Sequence, residues 1–329
     1  MSEYIMEVNN LVKHYPIHGG VLMRQVAKVH ALNGVSFKVK KGETLGIVGE
    51  SGCGKSTLGK TLIRLHDHTT GEVQFLGEDF LCKKGKELKA ARRQMQMIFQ
   101  DPYESLNTRH TVENILTEPY EIHGIGTKDE RIQWAKDLLK KVGLPEQALE
   151  RFPHEFSGGQ RQRIGIARAI ALKPHVIICD EPVSALDVSV QSQVLNLLLD
   201  LQQEMGLTYL FIAHDLAVVK HISDRIMVMY LGSIVEFTDA KTIYERPLHP
   251  YTQALISAIP IPDPDHKSDK IVLEGDIPSP VRLPTGCPFH TRCRYAKDIC
   301  KKEKPPLQAA PGTTGDRHLV SCHFAGNLK

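Results

Sequence analysis

The sequence predicts an α/β fold. A parallel-sheet core surrounds a glycine-rich loop, with an antiparallel β subdomain before it, a helical insert within it and a loop-rich extension after it. Three observations predict this. The apolar run Thr44 to Val48 leads into "GESGCGKST" and then into the helix-like "TLGKTLIRL", the strand, glycine turn and helix of a βα unit. A second apolar run, Val176 to Cys179, ends in two acids, Asp180 and Glu181, and open α/β sheets bind ligands at the carboxyl ends of their strands. From about residue 247 prolines crowd the chain, and four of its seven cysteines follow.

Length and composition set the bounds. The 329 residues suffice for one large domain or two smaller ones. Hydrophobic residues make up 41% and charged residues 24%, as in soluble globular proteins. A net charge of +3, from 41 Lys and Arg against 38 Asp and Glu, is too balanced to imply a nucleic-acid partner. "MSEYIMEVNNLVKHYP" has no apolar signal-peptide core. The most apolar stretches, such as "LTYLFIAHDLAVV", fall short of the ~20 residues a spanning helix needs. A soluble, cytosolic chain is expected, in which stable disulfides are disfavoured.

In chain order, residues 1 to about 92 alternate strand-like runs with turns ("LNGVSFKVKKGET", "GEVQFLGED") and read as an antiparallel sheet beside the core. Within them Gly49, Gly54, Lys55 and Ser56 stand in the G-x-x-x-x-G-K-[ST] pattern of a P-loop. Glycines let backbone N–H groups close around phosphate oxygens, and the helix N-terminus adds partial positive charge. Ser51, Gly52, Cys53 and Thr57 belong to the same cradle; Lys55 reaches the β and γ phosphates, and the Ser56 hydroxyl is a magnesium ligand. This makes a P-loop NTPase core without separating a kinase, a GTPase, a motor or a transport ATPase.

A helical insert is expected over roughly 93–165, where "DERIQWAKDLLKKVGL" carries Ile132, Ala135, Leu138, Leu139 and Val142 at helical spacing. In "EFSGGQRQRIGIARAIAL" Ser157 can cap a helix whose amides Gly158 and Gly159 leave bare, a second phosphate-binding helix terminus. An ordinary capped helix is the plainer alternative. Asp180 suits magnesium through water, and Glu181 suits general-base work on an attacking water; a solvated turn is the alternative there. "VQSQVLNLLLDLQQEMG" reads as a helix closed by Gly206, and "SDRIMVMYLGSIVEF" as two strands about Gly232 and Ser233. Residues 246–329 form the appended extension.

Together these residues resemble the ATP-binding cassette ATPases. Ser157-Gly158-Gly159-Gln160 is similar to the signature motif of that family and stands shortly before Asp180-Glu181, as it does there. Gln100 in "MIFQDP" matches the Q-loop, Asp187 ending "SALD" the D-loop, His214 in "FIAHD" the switch histidine, and Tyr15 in "KHYP" the aromatic that stacks on adenine. The resemblance covers roughly residues 5–245 and implies a cassette over 1–245 that takes ATP and Mg2+, the metal held by Ser56, Gln100 and Asp180. It further implies two cassettes paired head to tail, each ATP lying between the P-loop of one and Ser157 and Gly159 of the other. His214 would hold the γ-phosphate and Glu181 would polarise the water.

"HPYTQALISAIPIPDPD" and the cysteine tail narrow the resemblance to the oligopeptide/dipeptide branch of bacterial import ATPases, closest to its F-type subunits. That implies a homologous second ATPase in a heterodimer, two transmembrane permease subunits and an extracytoplasmic substrate-binding protein, with no nucleic acid. The chain would lie peripherally on the cytoplasmic face of the inner membrane, with "DPYESLNTRHTVENI" meeting the membrane subunit. Two rivals stand beside this: an importer ATPase for another small solute, such as a metal chelate or a glutathione-like molecule, and a soluble cassette ATPase acting on nucleic acid. No long heptad insertion and no second cassette support the latter, and intact Lys55, Asp180, Glu181 and His214 oppose a merely regulatory cassette.

Cys287, Cys293, Cys300 and Cys322 are four thiols, the number that closes a tetrahedral zinc or a cubane iron–sulfur cluster. A proline-rich segment has little apolar matter with which to fix itself, so a metal clip would order it. Spacing leaves zinc, cluster and loose thiols open. The resemblance tips the expectation toward a structural [4Fe–4S] cluster, standing away from the ATP site and taking no part in hydrolysis.

Overall fold

The computed structural model describes residues 3–21, 23–259, 270–313 and 315–328. The "PIPDPDHKSD" of the proline-rich stretch, residues 260–269, lies outside the described residues. The chain divides into two units, Met1–Leu81 with Ala213–Lys329, and Cys82–Ile212.

In the first unit the alternating runs form an antiparallel sheet in the order Arg24–Lys40, Tyr4–Gly19, Thr70–Phe75, Glu78–Asp79. A second set runs Gln308–Ala309, His318–Val320, Ser233–Asp239, Arg225–Tyr230, Thr44–Val48. The last pair is parallel and the others are antiparallel. Every residue of Thr44–Val48 is buried, which is why the run is apolar without alternation. Its start is pinned: the Thr44 N–H donates to the Asp224 carboxylate at 2.8 Å, and the Asp224 N–H donates to the Thr44 carbonyl at 2.9 Å. Glu43 accepts two guanidinium nitrogens of Arg225 at 3.0 and 2.5 Å, a bidentate ion pair.

The two strands expected about Gly232 and Ser233 form. Gly232 sits at φ 74°, and a Cβ there would lie 2.7 Å from the Ala31 carbonyl oxygen. Its N–H donates to the Cys53 carbonyl and its carbonyl accepts the Asn33 N–H, both at 2.8 Å, so this turn props the glycine-rich loop from below.

The extension carries more packing than its prolines led us to expect. Leu248, Ala310 and Val320 form a small core, and the rings of Tyr230, Tyr251 and Phe289 lie 4.8, 5.2 and 5.4 Å apart. Buried Glu236 accepts the N–H groups of Leu248 at 2.8 Å and His249 at 2.9 Å, and pairs with His318 Nε2 at 2.7 Å. The premise that only a metal could order this segment is therefore corrected: aromatic rings and a buried carboxylate hub hold it.

The second unit contains three parallel strands in the order Thr208–Ile212, Val176–Asp180, Met95–Ile98. Helix Lys128–Lys141 buries Ala135, Leu138 and Leu139 and starts at a capping box of Thr127 and Glu130. Helix Val188–Met205 buries Val194, Leu197 and Leu201 and ends at Gly206 with φ 65°, the left-handed cap the sequence implied. Two elements differ from expectation. Gly85–Gln94, within the stretch read as sheet, is a helix, and Met95–Ile98, within the stretch read as helical, is a strand. The four-residue "MQMI" is too short to display a period, and the polar "GKELKAARRQ" buries none of its residues, so neither announces itself by hydrophobic patterning.

Replacing Gly232 by Ala puts a Cβ against backbone at a positive φ. We expect a loss of roughly 1–3 kcal/mol in stability, read as a lower thermal unfolding midpoint. An unchanged midpoint contradicts the packing described.

Candidate functional site

The glycine-rich loop lies in the first unit. Gly49, Gly52 and Gly54 have φ of 152°, 78° and 107°. A Cβ on Gly49 would meet the Met229 carbonyl oxygen at 2.2 Å, and one on Gly54 the Ala31 carbonyl oxygen at 2.4 Å. Helix Lys55–Leu62 begins at Gly54 with no side-chain cap, leaving first-turn N–H groups for an anion. Buried Lys55 points Nζ at the carbonyls of Gly49 and Glu50, at 2.7 and 3.2 Å. Cys53 is a buried thiol, pushed up by burial, and serves as wall. The Tyr15 phenol hydrogen-bonds Thr57 on the same helix, its pKa raised by burial, and its ring stands edge-on to His66 at 5.7 Å. His214 is exposed and follows Ala213, whose N–H donates to the Ile47 carbonyl at 3.1 Å. The structure thus places the loop and the His214 segment on strand Thr44–Val48, and Tyr15 against the helix that follows the loop.

The second unit carries the acids. Buried Asp180 ends strand Val176–Asp180. Glu181 takes φ 46°, a left-handed conformation costly for a residue with a Cβ and typical of functional turns. Its N–H donates to the Ile212 carbonyl at 2.9 Å, and its carboxylate accepts the Gln100 side-chain amide at 3.0 Å. Gln100 and Glu181 are therefore neighbours. Helix Gly158–Ile170 starts with a reciprocal capping box: the Gln160 N–H donates to the Ser157 hydroxyl at 3.3 Å, and the Ser157 N–H donates to the Gln160 side chain at 3.0 Å. A Cβ on Gly159 would meet Val190 Cγ1 at 2.4 Å, so Gly159 also permits close packing on helix Val188–Met205. Asp187 caps that helix through the Val190 N–H at 2.9 Å, and the Ser189 hydroxyl holds its carboxyl below the usual carboxylate range.

The helix that begins at Ser157 also holds the segment following Gln100. Buried Arg161 stacks on the Tyr103 ring, 3.5 Å from the centroid, and hydrogen-bonds the Tyr103 hydroxyl. Arg168 donates to the Ser105 carbonyl at 2.6 Å.

The four tail cysteines line one small cavity with His290. None is in a disulfide. Gly286, at φ 68° and with its Cβ position 2.3 Å from the Cys300 carbonyl oxygen, lets the Cys287 N–H donate to that carbonyl at 2.8 Å. Burial, with the neighbouring thiols adding, pushes Cys287 and Cys322 up to about 11. Among the described residues no group of three or more His, Cys, Asp or Glu side chains is arranged to hold a metal ion, so the expected metal-binding character of the extension is not shown. The loop that carries these cysteines also reaches the phosphate loop. Arg292, beside Cys293, forms an ion pair with Glu50 at 2.7 Å. That contact joins residues 242 apart, and no local pattern announces it.

With this geometry in place, comparison with known proteins is decisive. Residues 32–184 match the family described as "ABC transporter", and residues 235–300 match "Oligopeptide/dipeptide transporter, C-terminal region". The chain is 53% identical to the oligopeptide transport ATP-binding protein AppF of Bacillus subtilis, covering 98% of both chains. It is 54% identical to a probable peptide ABC transporter ATP-binding protein of Sinorhizobium fredii, over 98% of this chain and 90% of that one. Among solved structures, the ATP-binding cassette MJ0796, a dimer in a post-hydrolysis state with ADP and phosphate, aligns with a TM-score of 0.64 and 29% identity, covering 71% of this chain and 98% of that one. CbiO1 of Clostridium perfringens aligns with the same score at 27% identity, over 74% and 92%. The chain belongs to the ATP-binding cassette family of transporter ATPases. Within that family its relatives are the oligopeptide and peptide import ATP-binding proteins, and its activity is ATP hydrolysis coupled to transport.

Arg161→Met keeps an unbranched apolar stem but removes the stacking guanidinium and its hydrogen bond. Limited proteolysis should then cut faster within residues 101–109. Equal cutting rates in parent and variant contradict the strut role of Arg161.

Proposed function

We propose that the chain is the ATP-hydrolysing subunit of a bacterial importer of oligopeptides or dipeptides. The observation that carries this is the conjunction of a complete cassette motif set with the C-terminal match over 235–300. No described helix is long and apolar enough to cross a membrane, which fits a peripheral subunit on the cytoplasmic face beneath two permease subunits, supplied by an extracytoplasmic binding protein. The cassette covers residues 1–245, with its insert at about 93–165, and the extension 246–329.

The residues act as follows. Tyr15 stacks on adenine. Gly49, Ser51, Gly52, Cys53, Gly54, Lys55, Ser56 and Thr57 bind the phosphates, with the lysine and the bare helix terminus countering their charge. Ser56, Gln100 and Asp180 would be the side chains that hold Mg2+, which would counter phosphate charge when bound. Glu181, held by Gln100 at 3.0 Å, takes a proton from the attacking water, and His214 holds the γ-phosphate. Ser157, Gly158, Gly159 and Gln160 present a helix terminus to the ATP of a second, homologous ATPase, and Asp187 faces the same junction. Fixed donors around a charged leaving group are what phosphoryl transfer requires.

The same reading takes Cys287, Cys293, Cys300 and Cys322 as ligands of a structural [4Fe–4S] cluster, with zinc as the alternative. Support comes from their convergence on one cavity as free thiols. When bound, the group would cross-link the loop of residues 286–300 to Cys322.

Three experiments test this. In the assembled transporter, Glu181→Gln should abolish most steady-state hydrolysis while ATP still binds, and Lys55→Ala should weaken binding itself; near-normal turnover in Glu181→Gln removes that residue as base. The chain alone should hydrolyse ATP poorly and copurify with membrane subunits when coexpressed; strong ATPase in a monomer contradicts the composite site. After anaerobic purification, about four irons per chain with broad absorbance near ~400 nm fits the cluster. One zinc without colour sinks iron, and four freely alkylated thiols with no metal sink the site.

A further inference from the structure

Glu50 is the second residue of the phosphate loop, and each of its polar groups is engaged. Its N–H donates to the Tyr251 phenol oxygen at 2.7 Å. Its carbonyl accepts the Cys53 N–H and the Lys55 ammonium, both at 3.2 Å. Its carboxylate accepts Arg292 Nη1 at 2.7 Å and Nη2 at 3.1 Å. The Arg292 side chain is 7% exposed and that of Glu50 25%, so the bidentate pair is largely shielded from water and salt.

Both Tyr251 and Arg292 come from the extension. The segment that carries Arg292 is held in turn: its N–H donates to the Phe289 carbonyl at 3.0 Å, and Phe289 is buried between Tyr230 and Tyr251. A carboxylate within a loop that receives a polyphosphate has the wrong sign for that ligand. Paired in a planar fork it is neutralised and fixed; unpaired it repels the phosphates and frees the backbone that Lys55 grips.

We propose that Arg292 is a positioning residue for ATP binding: by clamping and neutralising Glu50 it makes the C-terminal extension part of the phosphate site. This rests on the reading that the loop binds ATP, and Lys55→Ala tests that reading separately.

The experiment titrates Mg-ATP into the purified full-length chain by calorimetry, with thermal unfolding as the check on folding. Arg292→Met should raise the ATP Kd at least about tenfold, and added salt should recover part of the loss by screening the bare carboxylate. Adding Glu50→Gln to Arg292→Met should recover most of the affinity, which a purely structural role for Arg292 does not predict. Arg292→Lys, which keeps the charge without the fork, should fall between, and it replaces Arg292→Met if that variant does not fold. A Kd for the Arg292 variant within twofold of the parent, or a double variant no tighter than the single one, overturns the proposal. Should Lys55→Ala bind ATP like the parent, the loop reading fails whatever Arg292 does.

Discussion

The phosphate loop has to wrap backbone around a buried ammonium, and much of the first unit follows from that constraint. Lys55 is held from beneath by the carbonyls of Gly49 and Glu50. The turn needed to bring those carbonyls inward leaves no space for a Cβ at Gly49 or Gly54, where the carbonyls of Met229 and Ala31 already sit. The neighbouring strand Arg225–Tyr230 and the turn at Gly232 are thus part of the loop's mould, and the Gly232 N–H bonds Cys53 directly. Reciprocal bonds between Thr44 and Asp224, and the fork between Arg225 and Glu43, hold the strand beneath at a fixed height.

The second unit solves a different problem, that of aiming side chains from a backbone turn. Glu181 turns sharply at the end of a fully buried strand and is caught by Gln100. The helix beginning at Ser157 closes a reciprocal capping box with Gln160, then lends two buried or half-buried arginines to the segment after Gln100. One helix therefore connects the Ser157 cap with the short helix Pro102–Ser105 that bears exposed Tyr103. Movement of either end has a stiff path to the other, because a guanidinium stacked on a ring and bonded to its hydroxyl has few alternative arrangements.

What was legible in the sequence is what depends on neighbours along the chain. The strand before the loop, the glycines, the helix faces of Lys128–Lys141 and Val188–Met205, and the Gly206 cap all write themselves as short periodic or positional patterns. The strand Met95–Ile98 and the helix Gly85–Gln94 did not, since one is four residues long and the other fully buries none of its residues. Of the site, Gln100 and Glu181 were each legible, but their contact was not. Glu50 occupies a variable position of the loop pattern, and its partner lies near the other end of the chain. The extension was misjudged for the same reason. Counting prolines says nothing about Tyr251 and Phe289 closing on Tyr230 in space.

Glu236 carries a consequence for how such chains can be recombined. It lies on a strand of the cassette, with no exposed surface, and takes the N–H groups of Leu248 and His249 and the ring of His318, all from the extension. A buried carboxylate stripped of those partners is strongly destabilising. The extension is therefore not a detachable accessory. A chimera that grafts it onto another cassette must transplant Ser233–Asp239 as well, and a cassette trimmed of it needs an apolar residue at position 236. Insertions that respect this seam leave the hub intact, so the natural crossover point lies before strand Ser233–Asp239 rather than at the onset of the prolines.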